Sequence, residues 1–411
     1  MEKLHRYLSH RLPAHLNLLH RMVSINSFTS NPTGVNTLAE LTAQTFSRLG
    51  FQPEFVQSTN PAFGCHLFLH RKPASPPVGA GTALSLVSHL DTVFPPEEEK
   101  LNDFHWRPEG DRIYGPGTDD IKGGTVLLFM VLEALEEFHP EIFESIHWLV
   151  ALNASEEVLS SDFTSQLVQR LPDTTRACLV FEGGTPGADA ISLVVSRKGR
   201  ATYQVEVAGR SAHAGNNHAQ GANAILQIAH TIQQVEALTD YANQITFNVG
   251  TVHGGSVVNR VPHTAHASVE MRAFSPDIFQ DGIQGMLALD GSTHVSSQDG
   301  FPCQVRVHIT EKTAPWPANP GTQRLYAIWS DAAASLGWTT TTEKRGGLSD
   351  GNYLWQLFPT LDGLGPCGAN AHCSESSPDG SKQQEYVEVS SFVPRALLNI
   401  EAIKRLYALS A

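Results

Sequence analysis

The chain has 411 residues, of which 41% are hydrophobic and 17% are charged, a composition typical of folded proteins and not of disordered chains. Its formal net charge of -13 at pH 7 argues against nucleic acid as a partner, because phosphate backbones repel a negative surface. No apolar run approaches the roughly 20 residues needed to cross a bilayer, so no membrane partner is expected, and the length allows more than one domain.

The first predicted element is an amphipathic N-terminal helix. Its leucines recur at helical spacing, at Leu4, Leu8, Leu12, Leu16 and Leu19. No uninterrupted apolar core or small-residue cleavage site follows them, so we interpret the segment as a docked helix and not as a signal peptide. The five cysteines form no CxxC pair, which indicates reduced thiols and predicts a cytoplasmic protein.

Strands and helices then alternate along the first half of the chain. A second helix is predicted from Gly34 to Leu49, with Gly50 as its C-terminal cap. A further helix from Lys122 to Phe138 lies among strand-like runs at CHLFLHR, ALSLVSH, SIHWLVALN and RACLVFEG. This alternation predicts an α/β fold, with a mainly parallel sheet covered by helices. Ligands of such sheets bind beyond the carboxyl ends of the strands.

The pattern changes near Ser196, where apolar runs give way to regular alternation of apolar and polar residues. Strands are predicted at RATYQVEVAG, ITFNVGTVHGG, HTAHASVEMRAF and FPCQVRVHIT, with helices at AQGANAILQIAHTIQQVEAL and DIFQDGIQGMLAL. This β-α-β-β-α-β order predicts a small α+β domain with one exposed sheet face. We therefore expect one domain from residues 1–195 and 312–411, which resumes with a helix from Gln323 to Leu336, and an inserted domain from residues 196–311.

Two polar side chains directly follow the apolar strand ALSLVSH, namely His89 and Asp91. A polar group at the mouth of a buried strand needs a partner, either another residue or a metal ion. A histidine whose second ring nitrogen is held by a carboxylate is the usual arrangement of a metal ligand. His89 is therefore a candidate ligand oriented by Asp91, and a His-Asp pair that only caps the strand is the alternative.

Two other segments carry adjacent carboxylates. Asp119 and Asp120 lie in the glycine-rich turn YGPGTDDIKGG, where they form either a cation site or a helix N-cap. Glu156 and Glu157 follow the strand in LVALNASEEVLSS. Neighbouring side chains of an extended segment point in opposite directions, so one could bind a metal while the other faces a substrate. A solvated acidic pair is the alternative.

Glu182 in CLVFEGG and His372 in LGPCGANAHCSES complete the pattern. Five separate strand-end segments thus carry His, Asp or Glu, and no cysteine is among the candidate ligands. Two histidines with three carboxylates suit zinc, and this oxygen-rich set also accommodates cobalt or manganese. The sequence therefore predicts a site for two metal ions at one edge of the sheet.

Seven motifs occur in the order found in one protein family: SHLDTV, GPGTDDIKGG, ASEE, FEGG, GRSAHAG, GGLSDG and AHCSE. With these motifs the sequence resembles the M20 metallopeptidases, and most closely their glutamate carboxypeptidase (carboxypeptidase G-like) branch. The resemblance runs from about Leu16 to the last predicted helix. It implies a catalytic domain with two zinc ions and an inserted lid domain through which two copies of the chain form a homodimer.

The resemblance also implies which residues would bind the two ions. One zinc ion would be held by His89 and Glu182, and the other by Glu157 and His372. Asp120 would bridge both ions, because the family ligand directly precedes the Ile-Lys pair of the motif.

Five further residues match family positions with roles in catalysis or substrate binding. Asp91 would orient a histidine ligand, and Glu156 would be the general base. His213 resembles the lid histidine that reaches a partner's active site and stabilises the oxyanion. Asn259 and Arg272 match positions that contact the carboxylate end of the substrate.

The implied function is hydrolysis of an amide bond in small peptides or N-acyl amino acids with a free carboxylate. The alternatives are an N-acyl amino acid deacylase, a dipeptidase or aminopeptidase, and a catalytically silent metal-binding protein. Two features depart from the family pattern. ITEKTAPW, with Lys312, lacks the arginine-rich sequence associated with glutamate recognition, and Cys373 and the loop SSPDGSKQQ follow His372. Neither departure removes a ligand.

Overall fold

The computed structural model describes residues 1–73, 82–158, 161–187 and 190–409. It contains two compact units: unit 1 comprises Met1–Val195, Ala318–Glu343 and Ser349–Ala411, and unit 2 comprises Ser196–Pro317 and Lys344–Leu348. Within the described ranges, none of the helices combines the length and the apolar character that a membrane span requires.

The elements are numbered here in chain order. The helices are α1 (Glu2–Val23), α2 (Pro32–Ser47), α3 (Pro96–Leu101), α4 (Lys122–Phe138), α5 (Pro140–Ser145), α6 (Ser161–Val168), α7 (Ala224–Glu236), α8 (Pro276–Leu287), α9 (Pro320–Ser335), α10 (Gly351–Leu354) and α11 (Phe392–Ala408). The strands are β1 (Gln52–Gln57), β2 (Cys65–Arg71), β3 (Thr82–His89), β4 (Arg107–Glu109), β5 (Arg112–Tyr114), β6 (Ile146–Asn153), β7 (Thr175–Val180), β8 (Ile191–Arg197), β9 (Gly199–Ala208), β10 (Thr246–Gly254), β11 (Thr264–Ala273), β12 (Gln304–Thr313), β13 (Thr340–Arg345), β14 (Thr360–Leu361), β15 (Gly368–Ala369) and β16 (Tyr386–Glu388).

Unit 1 is built on a six-stranded sheet of order β1-β2-β6-β3-β7-β14. The pairs β6-β3, β3-β7 and β7-β14 are parallel, and the edge pairs β1-β2 and β2-β6 are antiparallel. Every residue of the central strand β3 is buried, as expected for a strand covered on both faces. The helices α1, α4 and α11 pack against one another. The predicted fold class, a mainly parallel sheet covered by helices, is confirmed.

The boundaries of some elements differ from the prediction for local reasons. Helix α2 begins at Pro32 because the side chain of Asn31 caps it by accepting a hydrogen bond from the amide of Gly34, and proline suits the first helical position. The last parallel strand, β14, has only two residues and ends at Leu361. The positive φ of Gly363 marks the turn that follows it.

Unit 2 has the element order β9-α7-β10-β11-α8-β12, as predicted. Its four strands form an antiparallel sheet of order β10-β11-β9-β12. Buried and less buried residues alternate along β9 and β11, since one face carries the core under α7 and α8 and the other face is polar. Strand β12 continues to Thr313.

Candidate functional site

The site of unit 1 lies where the central parallel strands end. His89 is the last residue of β3 and pairs in register with Asn153, the last residue of β6, while β7 runs parallel on the other side of β3. Because parallel neighbours end at the same edge, the segments after β3, β6 and β7 meet there. Glu156, Glu157 and Glu182 are carried by these segments.

The ring of His89 is held in one orientation. Its side chain is 1% exposed, and Nδ1 lies 3.0 Å from the main-chain oxygen of Asp91 and 3.5 Å from the carboxylate atom Oδ1 of the same residue. A proton on Nδ1 donated to Asp91 leaves Nε2 directed at the acids. Nε2 lies 2.8 Å from Oδ1 of Asp120 and 3.9 Å from Oε1 of Glu182.

Asp120 is brought to this edge by a close approach between helix α4 and the end of β7. A Cβ atom on Gly124 would lie 1.9 Å from the main-chain oxygen of Phe181, so only glycine permits the approach. The first turn of α4 is therefore placed next to the residue that precedes Glu182. The peptide between Asp120 and Ile121 is cis.

Asp120 also faces a second group of ligand atoms. Nε2 of His372 lies 3.3 Å from Oδ2 of Asp120 and 3.0 Å from Oε2 of Glu157. His372 has a left-handed backbone conformation with φ of 66°, as does Asn370 with φ of 63°. The side chain of His372 is 56% exposed and that of Glu157 is 5% exposed, so this part of the site opens to solvent.

The ligand atoms thus form two groups that share one residue. The first group is His89, Asp120 and Glu182, and the second is Asp120, Glu157 and His372; within each group the ligand atoms lie within 4.8 Å of one another. The structure brings together all five residues that the sequence singled out as metal ligands. Histidine nitrogen and carboxylate oxygen are donors that zinc, cobalt and manganese accept, so this donor set fits a pair of divalent cations.

The histidines and the carboxylates of the site shift one another's pKa values. Burial alone would lower the pKa of His89, but hydrogen bonds to Asp120 and Asp91 outweigh it and raise that pKa well above its usual value. Hydrogen bonds to Asp120 and then Glu157 raise the pKa of His372 to about 11. Burial would raise the pKa of Asp120, but its hydrogen bonds with His372 and His89 hold that pKa far below its usual range. The carboxylates therefore stabilise positive charge where a cation would bind.

The acids after β6 adopt a tight turn and not the predicted extended segment. Glu156–Val158 form one turn of 3-10 helix. The carboxylate of Asp91 stabilises this turn, because it accepts hydrogen bonds from the amide of Glu156 at 3.0 Å and from the amide of Glu157 at 3.3 Å. Thr29 Oγ1 donates a third hydrogen bond to Asp91, at 2.7 Å. Asp91 thus connects the end of β3 with the turn that carries both glutamates.

Glu156 is a buried acid among other acids. Burial raises the pKa of Glu156 well above its usual value; the positive charge of His89 opposes this, and the negative charges of Glu182 and Asp350 add to it. A carboxyl group with a raised pKa accepts a proton more readily than an ordinary carboxylate. The position and the pKa of Glu156 are those of a group suited to proton transfer.

Asp350 is a buried acid near the site, and sequence reasoning assigned it no role although it lies in the motif GGLSDG. Its Oδ1 accepts a hydrogen bond from Nδ2 of Asn153 at 2.9 Å. Burial raises the pKa of Asp350 to about 7, against the lowering effect of that hydrogen bond. In the sequence, Asp350 is only an acid that follows a pair of glycines. That context does not reveal its hydrogen bond with Asn153.

In unit 2, His213 and Asn259 lie in neighbouring loops. The main-chain amide of Ala214 donates to the carbonyl oxygen of Asn259 at 3.0 Å. The ring atom Nδ1 of His213 accepts from the amides of Gly215 and Asn216, each at 3.1 Å. An accepting Nδ1 places the proton of a neutral imidazole on Nε2, which makes Nε2 a hydrogen-bond donor.

Arg272 lies elsewhere in unit 2, near the end of β11. Its guanidinium binds both carboxylate oxygens of Glu270, at 2.6 and 3.3 Å, and donates to the carbonyl oxygen of Gly346 at 2.8 Å. Asn259 precedes the other end of β11, and the eight residue steps from Thr264 to Arg272 span roughly 26 Å. Within one copy of unit 2, Asn259 and Arg272 are therefore too far apart to contact the same small molecule.

Comparison with known proteins identifies the family. The model of peptidase family M20/M25/M40 matches residues 85–396, which include all five candidate ligands. The chain belongs to this family. As predicted, this M20 protein is a hydrolase, of the metallopeptidase and amidohydrolase type, and its family is metal-dependent.

Two relatives and one solved structure match nearly the whole M20 chain. Carboxypeptidase G2 of Pseudomonas sp. (strain RS-16) is 27% identical over 392 residues, which cover 94% of this chain and 87% of the relative. Succinyl-diaminopimelate desuccinylase of Paracidovorax citrulli (strain AAC00-1) is 24% identical over 409 residues, 96% of this chain and 98% of the relative. A tripeptidase structure from Staphylococcus aureus subsp. aureus Mu50 has a TM-score of 0.75 at 21% identity and covers 97% of this chain and 99% of that chain. At that identity the structural likeness shows the fold alone.

Proposed function

We propose that this M20 hydrolase uses two zinc ions to cleave the amide bond of small peptides or N-acyl amino acids that carry a free carboxylate. The observation that carries the proposal is the pair of three-residue ligand groups joined by Asp120, with the buried acid Glu156 beside them. His89 and Glu182 would hold one ion, and Glu157 and His372 the other. Two bound divalent ions would polarise the scissile carbonyl and lower the pKa of the attacking water.

Glu156 is the proposed general base. It takes the proton of the attacking water and delivers it to the leaving nitrogen, so the same carboxylate is base first and acid afterwards. Its raised pKa supports this role, because a carboxylate with a raised pKa accepts the proton more readily and can then pass it on. The carboxylate of Asp91 fixes the main chain of Glu156 and so holds the base in position.

His213 is the proposed donor to the oxyanion of the tetrahedral intermediate. The two amide hydrogen bonds to Nδ1 support this role, since they leave the Nε2 proton available for donation. Asn259, in the adjoining loop, would contact the substrate together with His213. Arg272 would bind the free carboxylate of the substrate through N–H groups that remain after its contacts with Glu270 and Gly346.

The separation of Asn259 from Arg272 along β11 supports a homodimer. If both residues act on one small substrate, they must come from two copies of the chain. Exposed apolar side chains on α7 and the edge strand β10 offer a surface for this association; they are Ile225, Leu226 and Val252. Sedimentation of the protein at micromolar concentration tests this, and a monomer would contradict it.

The experiment that tests the function compares matched substrates. The zinc-loaded protein is incubated with a panel of dipeptides and N-acyl amino acids, each paired with its C-terminal amide, and the released amine is measured. We expect release from the free acids and at least tenfold slower release from the amides, because the amides lack the carboxylate for Arg272. Equal rates would contradict the proposed substrate class, although not amide hydrolysis itself.

The same panel separates the proposed carboxypeptidase from a deacylase of N-acyl amino acids, a candidate favoured by the desuccinylase relative. The Glu156→Ala variant tests whether the protein is an enzyme or a silent metal-binding protein. It should keep its zinc content, because Glu156 belongs to neither ligand group, and should lose hydrolysis. Turnover by this variant at the wild-type rate would contradict the role of Glu156.

A further inference from the structure

Glu385 is a buried acid outside the two ligand groups, and it is fully shielded from solvent. Its atom Oε1 accepts hydrogen bonds from two consecutive main-chain amides, that of Asp119 at 2.8 Å and that of Asp120 at 3.2 Å. Removing a buried oxygen that accepts two amide hydrogen bonds is costly, because both amides lose their partner. Glu385 therefore fixes the main chain of the residue that is common to both ligand groups.

The main chain of Glu385 is tied to the other side of the site. Its amide donates to the carbonyl oxygen of Cys373 at 2.8 Å, directly after His372, and its own carbonyl oxygen accepts from the amide of Gly115 at 3.3 Å. Strand β16, which begins at the next residue, pairs with both β5 and β15. One residue thus joins the turn of Asp120 to the loop of His372.

Burial of a carboxylate is costly unless its charge is compensated. Lys122 supplies a nearby positive charge: it is 2% exposed, interacts electrostatically with Glu385 and Glu99, and donates from Nζ to the carbonyl oxygen of Ile25 at 3.1 Å. Lys122 does not fully offset the burial, since burial and the negative charges of Asp120 and Asp119 still raise the pKa of Glu385 well above its usual value. The hydrogen bonds to the two main-chain amides, and not an ion pair, are therefore the main contacts of this side chain.

We propose that Glu385 is a positioning residue for the metal site, which clamps the Asp119–Asp120 main chain against the loop of His372. The clamp keeps Oδ2 of Asp120 and Nε2 of His372 at the separation that a shared cation requires. This inference rests on the proposed metal-dependent function, and it assigns to Glu385 no contact with an ion or a substrate.

The test uses the full chain and compares two substitutions that differ in hydrogen bonding. Glu385→Gln keeps an oxygen acceptor for the two amides and removes the charge, whereas Glu385→Leu removes both. Glu99→Leu is the matched control, since Glu99 is also an acid beside Lys122 but accepts its hydrogen bond from Asn26, at 2.8 Å. Zinc affinity is measured by competition with a chromophoric chelator, and the geometry of the site by the absorption spectrum of the cobalt-loaded protein.

Glu385→Leu should bind zinc about 10- to 100-fold more weakly than the wild type, the usual effect of removing a group that supports a ligand, with an altered cobalt spectrum. Glu385→Gln and Glu99→Leu should stay within about threefold of the wild type, with its spectrum. If Glu385→Leu does not fold, Glu385→Asp replaces it: this side chain keeps the charge but withdraws the carboxylate by about 1.5 Å, and should weaken zinc binding at least about tenfold.

Three results would overturn the inference. Leu or Asp variants with wild-type zinc affinity would show that the clamp is not needed. A Gln variant as weak as the Leu variant would show that charge, and not the acceptor, matters. A wild-type protein that binds no zinc or cobalt would refute the proposed metal-dependent function as well, which separates that failure from failure of the clamp alone.

Discussion

Gly124→Ala, a substitution in helix α4, is predicted to lower both the stability of the protein and its affinity for zinc. In a helix interior this change ordinarily stabilises a protein, by up to about 1 kcal/mol. At Gly124, however, the new Cβ would lie 1.9 Å from the main-chain oxygen of Phe181. The nearest comfortable separation of carbon and oxygen is about 3.3 Å, so α4 and the end of β7 must move apart by about 1.4 Å.

That movement has two measurable costs. Overpacking of a buried contact costs about 1 to 3 kcal/mol. Against a gain of about 1 kcal/mol in helix propensity, the free energy of unfolding should fall by up to about 2 kcal/mol. The movement also separates Asp120, just before α4, from Glu182, just after Phe181. Zinc affinity should therefore fall about tenfold or more, as for a ligand that has lost its support.

Gly285→Ala is the matched control, because it makes the same change inside helix α8. There the new Cβ would lie 3.2 Å from a side-chain methyl group of Leu238, which can give way, so stability should stay the same or rise by up to about 1 kcal/mol. Urea titrations of the metal-free proteins and zinc titrations of both variants provide the comparison. If Gly124→Ala proves as stable as Gly285→Ala and binds zinc like the wild type, the close approach of α4 to β7 does not determine the site.

Three more predictions concern stability and catalysis. Burial alone would raise the pKa of Glu133. Hydrogen bonds from His15 and Arg11 outweigh this effect and lower the pKa from 4.5 to about 2. A folded-state pKa below the unfolded value adds stability above pH 4.5, and this stability is lost as the pH falls toward 2. Because Glu133 is only partly buried and solvent screens its ion pairs, Glu133→Gln should cost about 1 to 2 kcal/mol at pH 7 and progressively less between pH 4.5 and 2; urea titrations that gave a pH-independent cost would contradict this. Asn370→Val should lower the free energy of unfolding by about 1 to 2 kcal/mol, because a β-branched residue tolerates the left-handed backbone poorly. Asn370→Gly should be neutral or stabilising in the same titrations. Equal effects of the two substitutions would count against backbone strain at residue 370. His213→Ala should lower kcat about 10²- to 10³-fold, as loss of an oxyanion donor does. The zinc content of the variant, measured by elemental analysis, should be unchanged. A kcat close to that of the wild type would exclude the donor role.

The parts of the site that follow strands were accessible from the sequence. His89 and Glu182 stand directly after apolar runs, and the rule that parallel strands share a carboxyl edge is enough to place them together. The helix from Lys122 to Phe138 was predicted with its observed boundaries, because its apolar residues are nearly continuous. The β-α-β-β-α-β order of unit 2 followed in the same way from the alternation along its strands.

The supporting contacts could not be predicted, because they join main chain to side chain over long sequence distances. The carboxylate of Asp91 lies 3.5 Å from Nδ1 of His89, but it also accepts hydrogen bonds from the amides of Glu156 and Glu157. These hydrogen bonds stabilise a turn where an extended segment was expected. Glu385 contacts the amide of Asp119 across 266 residues. Amide groups are the same in every residue, so no pattern of side chains reveals such a partner.

The five candidate ligands come from segments spread between residues 89 and 372, and this spread bears on when metal can bind during synthesis. A growing chain that has not yet produced the loop of His372 can hold at most the first ligand group. Metal that binds the completed site stabilises the native state by mass action and does nothing comparable for shorter intermediates. Metal ions would thus stabilise the protein only after the whole chain has been made and has folded. A truncated product that lacks the loop of His372 would not retain both ions.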